Sequence, residues 1–389
     1  MMDLLLNVEI FAPERLGVRH VLVAAGKIVW IGESDPGVSS SLGVARHDFG
    51  GRRVIPGLVD PHVHITGGGG EAGPRTRVPP LGVSRFTRGG VTTVVGVLGT
   101  DDTTRHPGDL VAATRGLLDE GITAYCLTGG YHLPPVTVTG TVRGDIVHID
   151  RILGVGEVAV SDHRSSQPTL DELLHVAADA HVGGLLSGKA GILHLHLGDG
   201  PRGLSMVREA LERSEVPARV FNPTHVNRRR ALFEEALELA QRGCTIDVTA
   251  FPVAEDEDAW SAARAVTMFL ERGLPRDRIT VSSDGGGSLP TFDAAGRMTG
   301  MEVGEPRAMA ATLRELVGMG HALDVVLPAF TTNAAKHLRL AGKGRIAVGA
   351  DADLVMLDGE GVVMDVMAGG QWHVRDGAVV KLGTFEGQS

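Results

Sequence analysis

The sequence predicts an α/β protein: a (β/α)8 TIM barrel with a small β-sandwich domain built from both chain termini. Three observations carry this. Eight apolar, β-branched runs alternate with helical patterns through the middle of the chain, as a (β/α)8 barrel requires. Short strand-like runs divided by Gly- and Pro-bearing turns occupy both ends. Glycine reaches 54 of 389 residues without a Gly-X-Y period, which fits many tight turns between many short elements.

The first end offers strands over 4–11, 19–24, 27–31 and 47–54. The last end offers 352–357, 362–368, 371–375 and 378–381. We expect residues 1–55 plus 345–389 to make the β-sandwich and residues 56–344 to make the barrel. Barrel strands are expected at 54–59, 91–97, 122–127, 152–160, 192–197, 219–222, 244–250 and 278–281. Helical spacing of apolar residues covers 169–180, 203–213, 230–241 and 261–271. A doubly wound open sheet is the alternative. No Gly-x-Gly-x-x-Gly sits in the turn directly after the 54–59 run, which weakens its dinucleotide-binding version.

Composition narrows the function classes. Hydrophobic residues at 43% and charged residues at 22% exclude a disordered chain. The net charge of −10, with no basic patch larger than Arg228-Arg229-Arg230, argues against a nucleic-acid partner. Two cysteines, Cys126 and Cys244, are too few for a disulfide framework, and both fall in expected strands as buried thiols. No apolar run approaches 18 residues, and residues 1–17 lack a basic n-region. The expectation is a cytoplasmic protein without a membrane partner.

Barrel chemistry sits at the C-terminal ends of strands. The first strand ends Asp60-Pro61-His62-Val63-His64; residues i and i+2 share a face, so the imidazoles converge and suit a zinc-class ion. The fifth ends His194-Leu195-His196, where His196 lies nearer the rim and His194 one layer deeper as a packed interior histidine. The sixth ends at His225, a weak signal alone. The eighth ends at Asp284 in a Gly-rich run, where an aspartate can cap a helix or serve as metal ligand and general base. Gathered on one rim, these residues are hard to ascribe to chance.

The run Val54-Ile-Pro-Gly-Leu-Val-Asp-Pro-His-Val-His64 resembles the signature of the metal-dependent amidohydrolase superfamily, as does Gly349-Ala-Asp-Ala-Asp-Leu-Val355. Within it the chain is similar, essentially throughout, to the isoaspartyl (β-aspartyl) dipeptidase family. The specific stretches are His62-Val-His-Ile-Thr-Gly-Gly-Gly-Gly-Glu-Ala-Gly73, Leu127-Thr-Gly-Gly-Tyr-His132, Ser161-Asp-His-Arg-Ser165, Pro223-Thr-His-Val-Asn-Arg228 and Ser282-Ser-Asp-Gly285 with Ser288.

The resemblance implies two divalent metal ions, Zn2+ first among the candidates. His62, His64 and Asp284 would hold the deeper one, and His196 and His225 the other. Many relatives bridge such a pair with a carbamylated lysine on the fourth strand. The matching position, four residues before Ser161, is Glu157. A glutamate offers the same singly negative, bidentate group without carbon dioxide. Lys189 precedes the fifth strand, on the barrel floor, and is badly placed to bridge.

The resemblance also assigns substrate contacts. Glu71 would accept from a free α-ammonium group, with Thr100 near it. Arg164, Arg228 and Ser288 would grip an α-carboxylate. Tyr131 would donate to the scissile carbonyl oxygen, and Asp284 would act as general base and acid. Together they read an L-aspartate joined to its neighbour through its β-carbonyl. The family implies a homo-oligomer, often an octamer. The competing readings are a cyclic-amide hydrolase of the dihydroorotase or hydantoinase kind, an N-acyl-amino-acid deacylase, and a non-enzymatic scaffold. The first two leave Glu71 without a use, and the full set of candidate ligands opposes the third.

Overall fold

The computed structural model describes residues 2–292 and 298–387. Residues 1, 388 and 389 of the expected terminal unit lie outside the described residues. Eight parallel strands carry the site: β1 Leu58–Val63, β2 Val91–Gly96, β3 Thr123–Thr128, β4 Ile152–Val160, β5 Ile192–Leu197, β6 Phe221–Thr224, β7 Ile246–Thr249 and β8 Ile279–Ser282. β1 to β6 pair in chain order into one curled six-stranded sheet, and β7 pairs with β8. Side chains span the gaps between these two sheets. The Thr224 hydroxyl donates to Asp247 across β6 and β7 at 2.7 Å. The Ser283 amide, just past β8, donates to Asp60 on β1 at 3.1 Å, and the Ser283 hydroxyl donates to the same carboxylate.

Every residue of β4 and β5 is buried, so both read as continuous apolar runs rather than alternating ones. Helices cover the outside. The helix Leu170–Ser187 starts on a capping box: Thr169 Oγ1 accepts from the Glu172 amide, and Glu172 accepts from the Thr169 amide. It ends on Gly188 at φ 72°, a left-handed turn that glycine takes without steric cost. Phe86, Phe221, Phe233, Phe269 and Phe330 are fully buried in the packed interior. Each contributes roughly 1.5–3 kcal/mol through burial.

Strands from both ends join one nine-stranded sheet. Its path runs Ala378–Val379, Gln371–Arg375, Val363–Ala368, Leu354–Leu357, Arg53–Pro56, Met2–Phe11, Arg15–Ala24, Lys27–Gly32, with Val44–Asp48 also on Met2–Phe11. Two sequence expectations need correction. The run 47–54 is not one strand: Gly50 and Gly51 turn at φ 58° and 87°, and Asp48 accepts the Gly50 amide within that turn. The run 54–59 is divided at Gly57, whose absent side chain makes room for Thr92, so Arg53–Pro56 joins the nine-stranded sheet and β1 starts at Leu58. A hairpin of Ser288–Phe292 with Met298–Val303 follows β8 and was not expected.

Candidate active site

The strand ends bring the expected ligands together. Nε2 of His62 lies 3.4 Å from Asp284 Oδ1 and 3.7 Å from Glu157 Oε1. Nε2 of His64 lies 3.1 Å and 3.5 Å from the same two oxygens. Nε2 of His225 lies 3.5 Å from Glu157 Oε2, and Nδ1 of His196 lies 2.9 Å from it. Two ligand atoms on one tetrahedral zinc-class ion stand about 3.4 Å apart, so most of these gaps match a shared cation better than a hydrogen bond. Among the described residues, two groups have ligand atoms within 4.8 Å of one another: His62 with His64 and Asp284, and His62 with Glu157 and His225. Buried His62 Nε2, Glu157 Oε1 and Asp284 Oδ1 have no hydrogen-bond partner. Such orphaned atoms fit metal ligands.

Their tautomers follow from the groups behind them. Asn222 Nδ2 donates to the Thr245 carbonyl at 2.7 Å, so Asn222 Oδ1 must accept from His194 Nδ1, also at 2.7 Å. His194 Nε2 is then an acceptor, and His62 Nδ1 donates to it at 2.7 Å. That leaves the lone pair of His62 Nε2 facing the carboxylates. His225 pairs its Nδ1 with the Thr249 hydroxyl at 2.7 Å, and its Nε2 also faces Glu157.

The electrostatics ask for positive charge at this point. Burial alone would depress His62, but Glu157 and Asp284 lift it to about 9. Burial would raise Glu157, yet the His62 and His196 rings hold it well below the usual carboxylate range. Asp284 is held low against its burial by His62 and His64. Burial pushes His225 down to about 3 and holds His194 neutral, with His62 adding to the second effect.

Two ligand candidates sit in left-handed backbone: His225 directly after β6 at φ 59°, and Asp284 two residues after β8 at φ 51°. Ser161 after β4 does the same at φ 52°. A non-glycine residue there costs on the order of 1 kcal/mol or more. Lys189 is occupied far from the cluster, donating to the Ile146 and Ile149 carbonyls at 2.7 and 2.6 Å.

The expected substrate contacts fall into two sets. Glu71 accepts from Thr100 at 3.2 Å and from Ser288 at 3.3 Å, with Arg164 Nη1 3.6 Å away. Ser288 is thus held at Glu71. The second set centres on His196. Tyr131 Oη lies 2.8 Å from His196 Nδ1, and burial with the Glu157 charge pushes its pKa well up, so it remains an O–H donor. Arg164 Nη2 and Arg228 Nη1 lie 3.3 and 3.4 Å from His196 Nε2.

Sequence reasoning gave no role to Asp162 or Asp60. Asp162 Oδ2 is 3.1 Å from His196 Nε2. It lies inside a quoted run, so its neighbours Ser161 and Arg164 were the available signal. Asp60 accepts from the His62 amide at 3.3 Å, and burial raises its pKa to about 7. Its spacing of two from His62 puts it on the same strand face.

Comparison with known proteins places the chain in a family. The model of the amidohydrolase family matches residues 53–373. β-Aspartyl dipeptidase from the thermophilic, keratin-degrading Fervidobacterium islandicum AW-1, solved in complex with β-Asp-Leu dipeptide, is 44% identical with a TM-score of 0.90, covering 97% of this chain and 98% of that one. A D-hydantoinase at 18% identity and TM-score 0.66, covering 99% of this chain and 98% of its own, shares the fold. Imidazolonepropionase from Serratia proteamaculans is 22% identical over 352 residues, 85% of this chain and 84% of that protein. The Cupriavidus taiwanensis imidazolonepropionase is 34% identical over 117 residues, 29% of this chain and only 28% of the relative's length. With the family model spanning the strand ends that carry the cluster, this chain belongs to the amidohydrolase family and is a metal-dependent hydrolase, related over nearly its whole length to β-aspartyl dipeptidase.

Proposed function

We propose that the chain is a binuclear-metal isoaspartyl dipeptidase that hydrolyses the β-aspartyl isopeptide bond of L-isoaspartyl dipeptides. The observation that carries this is the Glu71 carboxylate at the mouth of the site, within hydrogen-bond reach of Thr100 and Ser288. A dipeptide's free ammonium gives that carboxylate a partner. The 44% identity to a β-aspartyl dipeptidase supports the reading.

In this reading His62, His64 and Asp284 would hold one divalent ion, and His196 and His225 would hold a second. Glu157 would serve both in place of a carbamylated lysine. Imidazole and carboxylate donors favour Zn2+. Bound there, the ions would lower the pKa of a water and polarise the scissile carbonyl. Glu71 takes the substrate's ammonium, with Thr100 and Ser288 steadying it. Arg164 and Arg228 take the α-carboxylate, since guanidinium grips carboxylate bidentately. Asp284 accepts the proton as water oxygen attacks the β-carbonyl. Tyr131 donates its O–H to the developing oxyanion. As the C–N bond breaks, Asp284 returns the proton to the leaving amine, so aspartate and an amino acid depart.

We further read β1 to β8 as one (β/α)8 barrel over residues 56–344, with residues 1–55 and 345–389 as a β-sandwich domain. No helix among the described residues is long and apolar enough to cross a membrane. A cytoplasmic homo-oligomer, an octamer by resemblance, completes the proposal. The second reading is a cyclic-amide hydrolase, favoured by the imidazolonepropionase matches. Assaying the purified protein on β-Asp-Leu beside hydantoin, dihydroorotate and imidazolonepropionate separates the two. Turnover of β-Asp-Leu alone is expected; turnover of a cyclic amide alone overturns the proposal.

A further inference from the structure

We propose that Asp162 is a positioning residue that couples the grip on the substrate's α-carboxylate to the metal ligand His196. This rests on the reading of Arg164 and His196 given above. Asp162 follows β4 and is 5% exposed. Its Oδ2 faces His196 Nε2 at 3.1 Å and Arg164 Nη2 at 2.7 Å. Its Oδ1 accepts from Arg164 Nε at 3.0 Å and from the Arg164 amide at 2.7 Å. Gly198, just past β5, leaves room for it, since a Cβ there would overlap the Asp162 side chain.

Two consequences follow. The first concerns the tautomer. With Nδ1, which faces Glu157 Oε2 at 2.9 Å, as the ligand atom, the ring proton stands on Nε2 and Asp162 is its acceptor, between the Arg164 and Arg228 guanidiniums at 3.3 and 3.4 Å. Asp162 thereby supports Nδ1 as the ligand atom of His196. The second concerns Arg164. A guanidinium has two bidentate edges. Asp162 occupies the Nε/Nη2 edge and turns Nη1 toward the Glu71 side of the site, 3.6 Å from Glu71 Oε1, where a substrate carboxylate would meet it. One carboxylate thus fixes both the ligand atom and the orientation of the recognising fork. An ion pair serving stability alone would need neither the His196 contact nor the choice of edge.

The test uses zinc-loaded protein and Asp162→Asn, which keeps the shape and removes the charge. One arm follows zinc loss to a chromogenic chelator. Zinc affinity is expected to fall about 10- to 100-fold, the range found when a ligand's supporting partner is removed. The other arm compares kcat/KM on β-Asp-Leu with that on its analogue bearing an α-carboxamide. The wild-type preference for the carboxylate is expected to shrink about tenfold, one lost charge-assisted contact. If either arm matches wild type, the coupling is overturned. Should Asp162→Asn fail to fold, Arg164→Met loosens Asp162 from its other side and is read in the zinc arm alone, where an affinity equal to wild type overturns the coupling. A wild type inactive on β-Asp-Leu would fail the functional reading, while the zinc arm would still test the link to His196.

Discussion

Nδ1 of His62 and Nε2 of His194 stand 2.7 Å apart, and this contact decides which face of His62 reaches the cluster. The proton chain from His62 through His194 to Asn222 ends on the Thr245 carbonyl. His194→Leu leaves the His62 N–H buried without an acceptor. Metal affinity is expected to fall about 10- to 100-fold. Stability is expected to fall by about 1–3 kcal/mol. Chelator competition and chemical unfolding measure the two effects, and an unchanged metal affinity would contradict the tautomer argument.

Asp284→Asn removes the group expected to carry the proton. The kcat on β-Asp-Leu should fall roughly 1000-fold, within the range for a general acid–base group. The circular dichroism spectrum should match wild type, because Asp284 lies past the end of β8. Ordinary turnover by this variant would sink the mechanism.

Glu71→Gln should chiefly damage recognition of the free amine. The expected signature is a raised KM with a smaller change in kcat, and kcat/KM lower by about 10- to 100-fold, the worth of a charge-assisted hydrogen bond. Wild type should discriminate against N-acetyl-β-Asp-Leu, and the variant should lose most of that discrimination. A variant that keeps it places the ammonium elsewhere.

Much of this was legible in the sequence because burial on both faces leaves an unmistakable run. β4 and β5 have the limits that their apolar runs suggested. The His-x-His pair of β1 was legible because a strand's period of two is rigid. Less was legible where backbone geometry overrides composition. The turn at Gly50-Gly51 lies inside the expected strand 47–54, and Gly57 divides the apolar run 54–59. Asp162 escaped because its partner His196 is 34 residues away on another strand. Resemblance groups Ser288 with the arginines, and the hairpin after β8 carries it to Glu71, which Arg164 Nη1 also faces at 3.6 Å. No local pattern encodes that return.

Acid sensitivity has a separate source in the nine-stranded sheet. His373 is fully buried, and burial followed by the Lys381 charge pushes its pKa down from 6.5 to about 4. A depressed histidine pKa gives stability that is present above 6.5 and lost as pH falls toward 4. The loss from this group reaches about 3 kcal/mol at 1.36 kcal/mol per unit. Urea unfolding of wild type and His373→Leu at pH 7 and pH 4.5 checks it. The variant should lose less stability on acidification, and equal losses would contradict the assignment.

The most direct measurement is hydrolysis of β-Asp-Leu against α-Asp-Leu, with metal counted per chain on the same sample prepared without added bicarbonate. The account expects cleavage of the β-linked peptide alone with about two ions per chain, the complement of a two-metal site. Two ions without cleavage would contradict the dipeptide reading, and a metal-free chain inactive on both peptides would contradict the bridging role of Glu157.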